Sequence, residues 1–293
     1  METIHHWQYI VHIQYHVGKM ELRIKHLLFT FVFAFSVLTA TGQTTSGTTG
    51  LLFMPTADMQ KDKTFMFGGN YLNTNHLSTH FHSNEINYTF NYYLNITIFP
   101  WLEVGYTCTL VHADHGSTYF PEHVWGKFTN QDRAFYGRIR LWKEGWWMKW
   151  TPQIVIGLDD PGSHESYGGG EIISGNTGSS NNYATRYYIA ATKHFEFETI
   201  GKLGVHVAYI YGKAKGIPEY KRPAAGVNFR LSLIEEKFYQ KALNGFNFMA
   251  EYDARTVNLG FNYAIWKDRI NLLCAWNECK HFSGGIQFKI CLK

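Results

Sequence analysis

Residues 85–111, EINYTFNYYLNITIFPWLEVGYTCTLV, constrain the fold more than any other stretch of the chain. From Ile86 every second residue is apolar or aromatic: Ile86, Tyr88, Phe90, Tyr92, Leu94, Ile96 and Ile98. Asn87, Thr89, Asn91, Asn95 and Thr97 lie between them. Successive strand side chains point to opposite faces, so this is a strand with one apolar and one mostly polar face. Phe99-Pro100 breaks the ladder, and a second strand sets Leu102, Val104, Tyr106, Cys108 and Leu110 against Trp101, Glu103, Gly105, Thr107 and Thr109. The pair is a hairpin with long arms and a very short turn. Its apolar face needs either a protein core or lipid.

The same alternation recurs along the chain. It is read at 64–73, 133–143, 149–159, 183–195, 202–212, 222–233, 245–254, 256–266, 269–276 and from Phe282 onward. With the first hairpin this makes about twelve strands of roughly ten residues, the length that crosses a bilayer when tilted. Strands in soluble proteins average nearer five or six. The connections after strands one, three, five and seven (74–84, 112–132, 160–182, 213–221) are long and polar. Those after strands two, four, six and ten are mostly short, and 234–244 reads as a short helix. Aromatic residues are 17% of the chain and charged residues only 17%, against roughly a quarter charged in soluble domains. The expected fold is therefore all-β, an antiparallel transmembrane barrel of about 12 strands, with a lipocalin-like or sandwich protein as the soluble rival. Trp142, Trp146, Trp147 and Trp150, bunched at one turn, suit an interfacial aromatic girdle.

The chain divides accordingly. Met20 opens a basic stretch followed by the apolar run 27–39 and small residues at Ala40 and Gly42, a secretory signal peptide over 20–42. Residues 1–19 then read as a non-native N-terminal extension, 43–63 as a periplasmic leader, and 64–293 as the outer-membrane barrel. The net charge of +4 is unclustered, which gives no nucleic-acid partner.

Several stretches resemble one family. GTTGLLFMPTADM at 47–59, WLEVGYT at 101–107, the LW…P-x-I-x-I-G-L-D-D stretch at 141–160, YYIAATKHF at 187–195 and AEYDARTVNLGFNY at 250–263 occur in the order seen in YjbH-type exopolysaccharide biosynthesis proteins. The opening motif is carried by Gly50, Leu51, Pro55, Thr56 and Ala57. The resemblance implies a non-enzymatic outer-membrane barrel tied to exopolysaccharide or capsule production. The implied partners are outer-membrane lipid, surface polysaccharide and other export proteins. This chain resembles a single-barrel, non-lipidated form of a family whose members are often longer.

On the polar strand face lie Glu103, Arg138, Arg140, Asp159, Arg186, Arg230, Glu251 and Asp253. In a barrel they point into the lumen, where charges must be paired or hydrated. An ion-paired brace is the plain reading, and a hydrophilic conduit for a sugar polymer is the functional one. His76, His80, His82, His112 and His115 fall in expected surface loops, and Cys274-x4-Cys279 lacks metal-knuckle spacing, so neither metal nor cofactor is expected. No nucleophile motif stands out. A lipid- or glycan-hydrolysing barrel enzyme and a simple porin remain as alternatives.

Overall fold

Twelve antiparallel strands close into a barrel in the computed structural model, which describes residues 42–73, 86–113, 128–160, 186–214, 217–234 and 237–292. In order they are β1 (Thr64–Leu72), β2 (Ile86–Phe99), β3 (Leu102–Ala113), β4 (Phe128–Trp142), β5 (Gln153–Asp159) and β6 (Arg186–Phe197). They continue as β7 (Gly201–Ala214), β8 (Ile217–Leu231), β9 (Phe246–Tyr252), β10 (Val257–Ile265), β11 (Ile270–Asn277) and β12 (His281–Cys291). Each strand pairs with its neighbours in sequence, and β12 closes on β1 with Phe67 opposite Phe288. Closure gives every strand a partner on both sides, so no strand is left as an open sheet edge.

The sequence alternation maps directly onto the wall. Phe90, Tyr92, Leu94 and Ile98 of β2 point outward and are exposed, while Thr89, Asn91, Tyr93, Asn95 and Thr97 point inward and are buried. The same holds across β4 to β7, where Phe135, Ile139, Ile156, Leu158, Ile189, Val207 and Tyr209 form an outward apolar band. This is an outer-membrane-type barrel.

The connections depart from expectation at two hairpins: β4 begins at Phe128 inside the expected loop 112–132 and pairs with β3 up to His112. Residues 213–221 read as a polar loop, yet β7 and β8 stay paired up to Ala214 opposite Ile217. A ladder depends on backbone pairing, so polar residues can extend a hairpin beyond the apolar band. We call the end where β1 begins and β12 finishes proximal, and the opposite end distal. Trp101, Trp146, Trp147, Trp150 and Trp266 are exposed on proximal turns, and the Arg269 guanidinium lies 5.2 Å over the Trp266 ring. The β8–β9 connection holds the expected helix, α1 (Phe238–Leu243), whose Lys237 N–H is capped by the Gln240 side chain at 2.8 Å.

The segment expected as a leader outside the barrel lies inside it. Every residue from 43 to 60 except Ser46 is buried. The segment forms no regular strand. It holds isolated bridges of Gln43 with Thr49 and Gly50 with Pro55, and turns at Gly47, whose φ is +91°. A free segment of this length could not bury Leu51, Leu52 and Met54, but the lumen supplies the surface. These side chains pack with Val155, Ala190, Ala208, Ile210, Met249, Leu273 and Ala275. Leu51 and Leu52 sit over Gly226 and Gly260, where a Cβ on the wall would collide with their methyl groups. The inward face is thus mixed, with small apolar residues over β5–β11 and amides and hydroxyls over β1–β3.

Three cross-strand pairs complete the wall. Tyr93 of β2 faces Gly68 of β1, Tyr136 of β4 faces Gly105 of β3, and Tyr188 of β6 faces Gly157 of β5. A Cβ added at each glycine would run into the opposing tyrosine ring or its hydroxyl, so the aromatic side chain lies across the gap the glycine leaves. Gly105→Ala and Gly157→Ala are each expected to lower stability by about 1–3 kcal/mol, the usual cost of overpacking. The check is a urea titration in detergent. Combining Gly105→Ala with Tyr136→Ala should cost less than the sum of the two single changes.

The plugged lumen as the candidate functional site

Residues 43–60 form a plug gripped by groups that project inward from the strands. Glu103 of β3 and Arg138 of β4 are register partners, both buried, and Thr49 lies between them. The Glu103 carboxylate accepts from Thr49 N–H at 2.9 Å, from Thr49 Oγ1 at 2.6 Å and from Asn95 Nδ2 at 2.7 Å. Arg138 donates to the carbonyls of Thr49 and Thr56, and to that of Asp58 at 2.7 Å. One residue thus offers its N–H to the anion and its carbonyl to the cation, and the plug backbone stands between the two buried charges.

Glu251 of β9 grips the next turn. Its carboxylate accepts the consecutive N–H groups of Leu52 (3.0 Å), Phe53 (2.8 Å) and Met54 (3.2 Å), and the Asn258 amide at 3.2 Å. Arg186 of β6 pairs with Asp159 of β5 at 2.5 Å and donates to the Phe53 carbonyl at 2.8 Å. Lumen amides hold the first turn. Asn70 and Asn91 both donate to the Thr45 carbonyl, at 2.8 and 2.6 Å, and Asn95 donates to that of Gly47 at 3.0 Å.

Of the eight inward charges singled out in the sequence, Glu103, Arg138 and Glu251 bind plug backbone and Asp159 and Arg186 form an ion pair, while Lys289 and Asp268 form a further buried pair at 3.2 Å. Asp253 acts elsewhere, where its Oδ1 accepts the Arg255 and Thr256 N–H groups and fixes the β9–β10 turn. Arg140 and Arg230 are half-buried near the proximal end. Within the motif, Gly50 has no room for a Cβ beside Thr44 and the Met54 carbonyl, Leu51 fills the Gly226 socket, and Pro55 bridges to Gly50. The Thr56 hydroxyl accepts the Asp58 N–H at 3.3 Å, and the Ala57 N–H donates to Thr192 Oγ1 at 2.9 Å.

Two chains of polar contacts at the proximal half were not legible as a site. In the first, His194 of β6 stands between two carboxylates: Nδ1 is 2.7 Å from Glu144 and Nε2 is 3.3 Å from Asp58, which also accepts from Gln153 at 2.6 Å. Lys193 reaches the same Glu144 at 2.8 Å. Glu144 lies in the β4–β5 turn. Its burial pushes the carboxyl up, but the hydrogen bonds from Lys193 and His194 outweigh this and hold it below the usual range. In the second chain Thr192 meets His206 Nδ1 at 2.9 Å, His206 Nε2 meets Asn228 Oδ1 at 2.7 Å, and Asn228 donates to Asn247 at 2.6 Å. In the sequence both histidines read as ordinary strand residues. The histidine loops singled out in the sequence, His76, His80, His82 and His115, lie outside the described residues, as does the side chain of His112. Among the described residues no group of three or more His, Cys, Asp or Glu side chains is placed to hold a metal ion.

The YjbH family model, described as "Exopolysaccharide biosynthesis protein YbjH", matches residues 42–293, the plug and the whole barrel together. The chain belongs to this family. The Gly-Leu…Pro-Thr-Ala motif that opens the match is the segment held in the lumen. Among curated proteins, the chain is 31% identical over 121 residues to the "Uncharacterized lipoprotein YjbH" of Escherichia coli (strain K12). That match takes in 41% of this chain and 14% of the length of the E. coli lipoprotein. Among solved structures, the β domain of the Bordetella autotransporter BrkA is similar at 10% identity, over 78% of this chain and 98% of that one, with a TM-score of 0.31.

Proposed function

We propose that this protein is a non-enzymatic outer-membrane component of exopolysaccharide or capsule production, with both barrel termini on the periplasmic side. The observation that carries the reading is the plug: the segment that opens the family match is buried in the lumen and is held by strands around the whole ring, from Asn70 of β1 to Gln287 of β12. The outward apolar band and the aromatic proximal rim support an outer-membrane location, and the basic-then-apolar stretch at 20–42 supports export. Surface polysaccharide, other export proteins and outer-membrane lipid are the partners proposed. Deleting the gene and measuring surface polysaccharide tests the role. The expected result is a coat reduced several-fold and restored by the full chain, and an unchanged coat would remove the assignment.

A hydrolase is the second reading, and one observation favours it. Thr192, His206 and Asn228 stand in the order hydroxyl, imidazole, amide that acyl transfer uses. Against it, Thr192 and His206 are each 1% exposed, and the hydroxyl oxygen already accepts the Ala57 N–H. A Thr192→Val variant that abolished a measured lipase or glycosidase activity while keeping its fold would favour the enzyme. A simple porin needs an open lumen, and the burial of residues 43–60 against the inner wall argues against one.

A further inference from the structure

The plug uses only part of what the wall offers. It is held by charged groups and by amide N–H donors, whereas a set of neutral polar side-chain atoms on the wall makes no well-aligned hydrogen bond among the described residues. The hydroxyls of Tyr93, Tyr136 and Tyr188 are buried without one, as are the side-chain oxygens of Asn95, Asn271 and Gln287. Gln287 stands within hydrogen-bonding reach of the Tyr93 hydroxyl and Asn95 within reach of the Tyr136 hydroxyl, both loosely aligned, whereas the Tyr188 hydroxyl and the Asn271 oxygen have no such neighbour among the described residues. An unpaired buried polar group costs about 1–3 kcal/mol, so a wall built only to receive the plug would not keep so many.

The three tyrosines also share a geometry. They alternate around the wall on β2, β4 and β6, with strand spacing placing successive ones about 10 Å apart. Each ring rests with one side on a glycine of the preceding strand. The other side of Tyr93 is covered by Gly47 of the plug, where a Cβ would meet the ring. Charges of both signs share the lumen, as in Glu103 and Arg138, so no single-sign field selects a polyanion. Flat aromatic faces flanked by spare hydroxyls and amides suit a ligand with apolar CH faces and many hydroxyls.

We propose that the lumen wall beneath residues 43–60 is a binding track for a neutral glycan, uncovered when the plug is displaced. Tyr93, Tyr136 and Tyr188 are its stacking platforms, and the amides of Asn95, Asn271 and Gln287 receive the sugar hydroxyls. The track deepens the polysaccharide reading above and rests on it.

The test is conductance of the purified full chain in planar lipid bilayers. Wild type is expected to stay closed. Gly47→Val combined with Glu251→Gln loosens both turns of the plug and is expected to give open channels. Malto- and cello-oligosaccharides of six to eight glucose units should block those channels at least tenfold more strongly than oligogalacturonate of the same length. Changing Tyr93, Tyr136 and Tyr188 to alanine on that background should weaken the block tenfold or more while leaving the channels open. Heat-modifiable migration in gels reports whether each variant has folded. Should a variant fail to fold, wild type opened in sub-denaturing urea takes its place. Channels that open but resist block by the neutral sugars, or are blocked better by the acidic one, overturn the glycan track. Chains that open neither by substitution nor in urea overturn plug displacement. An unchanged coat in the gene deletion, alongside clear block by neutral sugars, would instead remove the cellular role and leave the track standing.

Discussion

Arg138→Ala is expected to lower the stability of the barrel by about 3–5 kcal/mol, the range found when one member of a buried charged constellation is removed. The guanidinium is fully buried and donates to the carbonyls of Thr49, Thr56 and Asp58. No other side chain donates to those three carbonyls among the described residues, so truncation leaves the acceptors facing an apolar void. Glu103, the register partner, also loses the opposing charge. With a urea slope of about 1–3 kcal/mol per molar, the midpoint should fall by roughly 1–5 M. Arg138→Lys should recover little, because one ammonium on a single stem cannot match a fork that reaches carbonyls on both turns of the plug. A fall below about 1 kcal/mol in urea would show that the plug is not held this way.

Glu251→Ala should have the next largest effect. It strips the shared acceptor from the Leu52, Phe53 and Met54 N–H groups, which point at one carboxylate in the lumen. Charge-assisted hydrogen bonds contribute about 1.5–3 kcal/mol each, and the three share one acceptor group, so about 3 kcal/mol in total is expected. The loss should be local before it is global. The β9–β10 turn is fixed independently by Asp253, so the barrel should still close while the plug frays. Limited proteolysis should then cut within residues 43–60 of the variant at least tenfold faster than in wild type, with the barrel fragment intact. Equal cleavage of both would refute the role of Glu251.

Much of the barrel was legible because a strand exposes its period in the sequence. The alternation that placed Phe90, Leu94 and Val257 outside also placed Glu103, Arg138, Asp159 and Glu251 inside, so face and candidate residues came from one argument. What these residues bind was not legible. Residues 43–60 carry no period, since Gly50 and Pro55 break any repeat, and their partners lie up to 244 positions away. One signal pointed to the plug: the inward face over β6–β11 carries Ala190, Ala208, Ala224, Gly226, Gly260 and Ala275 where a water-filled lumen would carry polar groups. Small residues there leave space, and the apolar Leu51, Leu52, Phe53 and Met54 needed some. The tyrosine–glycine pairs were hidden for another reason: they depend on register between strands, which periodicity within one strand cannot fix.

The account turns on a barrel with its apolar face outward and its lumen filled by its own segment. Site-directed spin labelling along β2, with the native cysteines changed to serine and the protein in lipid vesicles, tests both halves at once. Labels at Phe90, Tyr92, Leu94 and Ile98 should be relaxed by lipid-dissolved oxygen, whereas labels at Asn91 and Asn95 should be immobile and reached by neither oxygen nor a water-soluble nickel complex. Inward labels open to the nickel complex in the wild-type protein, or an oxygen pattern of opposite phase, would contradict it.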